Sequence, residues 1–181
     1  MNMPMKSHYS DAPKTQPPAR HTLSVLVDNE PGVLARISGL FSGRGYNIES
    51  LTVSETEHEA HVSRITIVTT GTGPVIEQIK AQLDRLVPVH RVVDLTIQGE
   101  AIERELALVK VVGSGESRVE AMRLASAFGA RTVDATLTSF VFEITGATEE
   151  IERFLRVMAV VGLVEVSRTG IAAMARGAEA L

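Results

Sequence analysis

The sequence predicts an α+β fold built from two consecutive βαββαβ units. Three observations lead there. The order strand, helix, strand, strand, helix, strand is legible in residues 21–98 and again in residues 99–181. The strand segments alternate in polarity with a period of two, whereas the helical ones carry an apolar stripe at a spacing of three to four. The boundaries between segments fall on Gly, Pro, Asn and Asp.

In the first unit "TLSVLVD" reads as a strand, with Leu23, Val25 and Val27 alternating with Ser24 and Leu26. "VLARISGLFSGR" reads as a helix whose stripe is Val33, Ile37, Leu40 and Phe41. "YNIESLTVSETE" and "AHVSRITIVTT" are extended, with the polar "ETEHEA" as the hairpin turn between them. "GPVIEQIKAQLDRL" is a second helix, striped by Ile76, Ile79, Leu83 and Leu86, with Pro74 in its first turn. "VPVHRVVDLTI" closes the unit as a strand. Its alternation puts Val87, Val89, Arg91, Val93 and Leu95 on one face, and Arg91 there implies a sheet edge.

A polar connection, Gln98 to Ile102, leads to the second unit. "RELALVKVVG" is a strand and "ESRVEAMRLASAF" a helix stopped by Gly129. "ARTVDATLT" and "SFVFEITG" are strands. "TEEIERFLRVMAVV" is a helix with Thr148 as its N-cap and acids in its first turn. "LVEVSRTG" is the last strand, and the Ala-rich tail shows weak helical promise. Each unit is thus a ferredoxin-like sandwich, an antiparallel sheet with two helices on one face. Each would leave its other sheet face bare, and a bare aliphatic face is an association surface, so oligomerisation is expected.

Composition narrows the function. The 181 residues are 44% apolar and only 4% aromatic, without Trp, so the cores must be aliphatic. A formal net charge of −4 argues against a nucleic-acid binder, which needs a basic face to replace phosphate counterions. RNA-recognition modules share this topology, but they need exposed sheet aromatics, and Tyr46 and Phe140 are not spaced for that role. The absence of Cys excludes disulfides, thiolate metal sites and a cysteine nucleophile, and suits a cytoplasmic chain. No apolar run is long enough to span a bilayer. Residues 1–20 are polar and Pro-rich, lack the apolar core of a signal peptide, and are expected to be a disordered leader.

One stretch points to a ligand, "DNEPGVLARISGLFSGRGYNIESL", Asp28 to Leu51. A helix beginning after Gly32 offers unpaired N–H groups and about half a positive charge, which suit a carboxylate. Gly32 lets a ligand approach the backbone, and Asn29 offers both a donor and an acceptor. Asn47, past the "GRGY" turn, is expected to approach the same helix end. Together they suit a zwitterion. The plainer reading is a Pro-Gly helix start and an Asn in a turn, and spacing alone leaves both open.

Other constellations carry less. "HEAH", His58 to His61, is not HExxH and falls in a hairpin turn, so a metal site there is disfavoured. "VVGSGES" lacks both GxGxxG and the Lys-Ser/Thr of a P-loop, and a glycine turn with a Ser N-cap accounts for it. Arg168 and Arg176 read either as a solvated terminus or as a partner contact. No acid, base and nucleophile converge, so a small enzyme of this fold is disfavoured.

"DNEPGVLARISGLFSGRGYNIESL" resembles the ACT-domain signature: a strand ending in an acid, then x-x-Pro-Gly-x-Leu opening the first helix. More narrowly, the chain resembles the regulatory (small) subunits of acetolactate synthase. The resemblance continues in order through "SRITIVTTG", "QIKAQLDRLVPVHRVVDL", "ERELALVKV", "FGARTVDAT" and "EVSRTGIAAMARG", from His21 to Gly177. Many relatives have a Pro before "GLVEV", where this chain has Val160 and Val161. The resemblance implies an ACT domain at 21–98 and a C-terminal ferredoxin-like domain at 99–181. It implies a homodimer through the ACT domains that binds L-valine at the interface. Asn29, Gly32, Val33 and Leu34 would meet the ligand, and Asn47 and Ile48 of the paired protomer would close the pocket. It further implies no cofactor on this chain. Thiamine diphosphate, Mg²⁺ and FAD would sit on a large catalytic subunit, which this chain activates and makes sensitive to valine. The alternative is a free-standing amino-acid sensor acting on another enzyme or on transcription, although no helix-turn-helix segment accompanies the domains.

Overall fold

The computed structural model describes residues 17–57, 61–97, 101–178 and 180. Residues 1–16 of the leader, residues 58–60 of "HEAH", and residues 98–100 of the polar connection lie outside the described residues, as do Glu179 and Leu181.

The first unit contains β1 (Ala19–Asp28), α1 (Val33–Gly43), β2 (Ser50–Glu57), β3 (Val62–Gly71), α2 (Gly73–Leu83) and β4 (Val89–Asp94). Its antiparallel sheet runs β2-β3-β1-β4. The helix α1 carries the chain from β1 across β3 to β2, and α2 carries it from β3 across β1 to β4. The two-residue period of β1 sends Leu23, Val25 and Val27 to the helix side, where Ile65 and Ile67 of β3 face them. Val33, Ile37 and Phe41 of α1 and Ile76, Ile79 and Leu83 of α2 complete this core. Each such apolar side chain, buried outright, contributes about 1.5–3 kcal/mol.

The second unit contains β5 (Ile102–Val112), α3 (Gly115–Ala127), β6 (Arg131–Ala135), β7 (Ser139–Gly146), α4 (Thr148–Val160) and β8 (Leu163–Arg168), in sheet order β6-β7-β5-β8. Ala107, Val109 and Val111 of β5 pack with Phe140, Phe142 and Ile144 of β7 beneath Ile151, Phe154 and Met158 of α4. Only Ala121 and Ala125 of α3 are buried outright, so this helix presents a thin apolar stripe. Phe140, expected nowhere useful for stacking on a nucleic acid, belongs to this core.

Four expectations change. The Ala-rich tail is not helical: Ala172–Met174 form a strand, β9, paired with Ile102–Arg104 at the start of β5. The tail alternates Ile171, Ala173 and Ala175 inward, a period of two that outweighs the helical propensity of its alanines. Second, the bare faces differ. Ile171 and Ala173 cover Val68, Val93 and Leu95 on the outer face of the first sheet, forming a small core between the two units. The outer face of the second sheet keeps Leu108 and Val112 exposed. Third, Val89 and Val93 do not share a face. A register shift at Leu26/Val27 turns Val89 and Val92 toward the helices, while Val93 stays on the outer face. β4 is indeed an edge strand, as Arg91 implied. Fourth, Ala147 rather than Thr148 holds the N-cap position of α4, and no side chain caps that helix.

No helix among the described residues is long and apolar enough to cross a membrane.

Candidate functional site

The loop between β1 and α1 is fixed through its backbone. The Asp28 N–H donates to the Pro88 carbonyl (2.9 Å) and the Asn29 N–H to the His61 carbonyl (2.6 Å). The Asp28 carboxylate also lies 2.7 Å from His90 Nε2. The two residues are 62 positions apart along the chain, so only the fold brings them together. These tethers leave the side chain of Asn29 exposed.

Gly32 stands at the N-cap of α1 with φ +92°, a left-handed conformation that a side chain would strain. No heavy atom lies within 4 Å of where its Cβ would project. The space in front of the first turn is therefore open, and no side chain caps the helix there. The N–H groups of Leu34 and Ala35 and the helix dipole make the opening suited to an anionic group. Val33 and Leu34 divide in role. Val33 is only 3% exposed and packs in the core, and its N–H already donates to the Glu30 carbonyl (3.5 Å). Leu34 is 42% exposed and offers an apolar side chain beside the opening.

Asn47 and Ile48 lie elsewhere. The Asn47 carbonyl accepts a bond from Thr69 Oγ1 (2.7 Å), and Thr69 pairs with His21 near the start of β1. Asn29 follows the other end of β1. Roughly 25 Å separates the two, at about 3.3 Å per residue along the strand. The expectation that Asn47 approaches the N-terminus of its own α1 is thus corrected: the helix runs the length of the sheet, and Asn47 follows its C-terminal end. Asn47 is exposed, and Ile48 packs against the edge of the first core.

Two further constellations are placed. His61 occupies the turn before β3 with φ 50°, and no cluster of three or more metal-ligating side chains occurs among the described residues. In the Gly113–Ser117 loop Ser114 is at the N-cap of α3, but its side chain makes no capping bond, while Ser117 Oγ donates to the Ser114 carbonyl (2.9 Å).

A polar cluster that sequence reading missed lies where the two units meet. Arg168 bonds both Glu105 and Glu152. Hydrogen bonding to Glu105 raises the pKa of Arg168, against the opposing effect of burial, and Glu152 adds to the rise. Arg20 reaches Glu103 (3.1 Å), which also accepts from Thr22 Oγ1. Arg168, at the end of β8, is therefore not part of a solvated terminus. A cleft of about 470 Å³ opens beside this cluster, between Glu49–Leu51 of the first unit and Glu105, Glu152 and Arg168 of the second.

Comparison with known proteins gives consistent results along the chain. Residues 23–91 match the family model described as the AHAS small subunit-like ACT domain, and residues 104–177 match the one described as the small subunit of acetolactate synthase. The chain is 45% identical over 158 residues to the probable acetolactate synthase small subunit of Archaeoglobus fulgidus, covering 87% of this chain and 98% of that one. It is 45% identical over 159 residues to the acetolactate synthase isozyme 3 small subunit of Salmonella typhimurium, covering 87% and 96%. The crystal structure of the acetolactate synthase small subunit from Thermotoga maritima superposes with a TM-score of 0.80 at 36% identity, covering 89% of this chain and 99% of that one. With the paired βαββαβ fold, these similarities show that the chain belongs to the acetolactate synthase small-subunit family and that its first half is an ACT domain.

Proposed function

We propose that this chain is the regulatory, non-catalytic subunit of acetolactate synthase. It binds the large catalytic subunit, raises its activity, and confers feedback inhibition when L-valine occupies the ACT domain. Catalysis, with thiamine diphosphate, Mg²⁺ and FAD, belongs to the large subunit.

The observation that carries the valine reading is the split site. One half, Asn29 to Leu34, holds an open helix N-terminus for a carboxylate and an exposed Leu34 for an aliphatic side chain. The other half, Asn47 and Ile48, follows the far end of the same helix. A two-fold axis beside the β2 edge would run the two α1 helices antiparallel. It would set Asn47 and Ile48 of one protomer before Gly32 of the other. The exposed side of α1 suits such an approach, since it carries Ala35, Gly39 and Gly43. The homodimer thus completes a pocket that a single chain leaves in two pieces. Inhibition then follows as linkage: valine acts by binding the inhibited state of the complex more tightly than the active one.

Calorimetric titration with L-valine, with L-lysine as control, tests this reading. Saturable heat from valine alone is the expected outcome. If the chain ignores valine both alone and with the large subunit, and valine leaves that complex uninhibited, the sensor assignment fails.

A further inference from the structure

The segment that closes the proposed pocket is gripped by the second domain. Asn47 and Ile48 lead through Glu49 into Ser50, the first residue of β2. The Ile171 N–H donates to Ser50 Oγ at 3.1 Å. Gly170, at φ +81°, sits against the same residues so closely that a Cβ would meet Thr52 Oγ1 at 2.7 Å and Ser50 Oγ at 3.0 Å. Ile171 continues into β9 and the small core with Val68. In the other direction the chain is tied firmly to the second sheet. The Thr169 N–H donates to the Leu106 carbonyl (3.0 Å), and Arg168 bridges Glu105 of β5 and Glu152 of α4. The 470 Å³ cleft borders Glu49, Ser50 and Leu51.

We infer that the Gly170–Ile171 turn positions the segment Asn47–Ser50, and that this contact links the occupancy of the ACT site to the second domain. The inference rests on the proposed site in assigning Asn47 and Ile48 to the ligand. Two restraints hold the segment. From its own sheet, Thr69 Oγ1 bonds the Asn47 carbonyl, and the Glu49 N–H donates to the Val68 carbonyl (2.8 Å). The other restraint, through Ser50, comes from the second domain. A ligand that pulls on Asn47 or Ile48 therefore loads Ser50 and, through it, the turn that ends in the Arg168 bridge. Ser50 and Gly170 are positioning residues: they touch the segment's backbone support rather than the ligand.

The test is amide hydrogen exchange on the ligand-free, full-length chain, comparing parent, Ser50→Ala and Gly170→Ala. Loss of one hydrogen bond corresponds to exchange about 3- to 10-fold faster across residues 46–52, with α1 and α2 unchanged. A control, Ile151→Val, lowers stability in the second core and is expected to leave residues 46–52 as in the parent. The same two variants are expected to weaken valine binding by a similar factor. Parental exchange at 46–52 in both variants, or equal loosening in the control, overturns the inference. Failure of the sensor reading looks different: the parent itself fails to bind valine, while the exchange comparison still decides whether Gly170 and Ile171 position the segment.

Discussion

Asn29 combines a backbone held by His61 with an exposed side chain, so its amide can be removed without disturbing the core. Asn29→Ala should weaken valine inhibition and spare activation of the large subunit, seen as a higher valine concentration for half-inhibition. Loss of one polar contact corresponds to about 1 kcal/mol, or roughly fivefold. Gly32→Asp should abolish valine binding, since it puts a carboxylate into the open space before the helix and strains a left-handed backbone. Gly32→Ala carries the strain without the charge, and its smaller effect in the same titration separates the two causes. Arg168→Met addresses stability instead. Glu105 has only 3% of its side chain exposed and would be left unpaired. The expected loss is about 2–3 kcal/mol, less than the roughly 3–5 kcal/mol of a fully buried pair because Arg168 is 30% exposed. Denaturant unfolding measures it. Residues of the first kind were legible in the sequence, because Pro31, Gly32 and Asn29 sit together at a helix start. The Arg168 bridge was not, because Glu105 is a neighbour only once β5 and β8 pair, and strand pairing is not written locally.

At the scale of elements, strong periodicity located the eight strands and four helices that make up the two units. The reading failed where two signals competed. In β4 the alternation Val87, Val89, Arg91, Val93 and Leu95 looked like one face, but the shift at Leu26/Val27 is a property of the pairing and splits it. In the tail, alanine content suggested a helix, whereas Ile171 and Ala173 have a sheet face to cover. That covering makes β9 and the residue before it one of the joints between the two units, beside the bonds of Arg20 and Thr22 to Glu103. Ala173→Glu, which would set a carboxylate against Val68, Val93 and Leu95, should undock β9 from the ACT sheet. Calorimetry should then resolve two unfolding transitions where the parent shows one.

For the whole molecule, the sequence announced two units and an association surface but could not say which surface. The first sheet's outer face is partly covered within the chain, and the proposed homodimer would form through the β2 edge and α1. Val53 lies on β2, 46% exposed, at that edge. Val53→Lys should favour the monomer in sedimentation and, with it, lose valine binding, since the two half-sites would no longer meet. The placement of β9 also bears on how the protein is made. Val68, Val93 and Leu95 are synthesised well before the residues that cover them, Ile171 and Ala173. At ~5–20 residues per second the ribosome needs about 4–16 seconds to cross that interval. During that time the nascent ACT domain shows an apolar window, a docking point for a chaperone and a hazard in crowded polysomes. A chain cut short before Gly170 never closes it, so termination there should yield an insoluble product rather than a trimmed, working one.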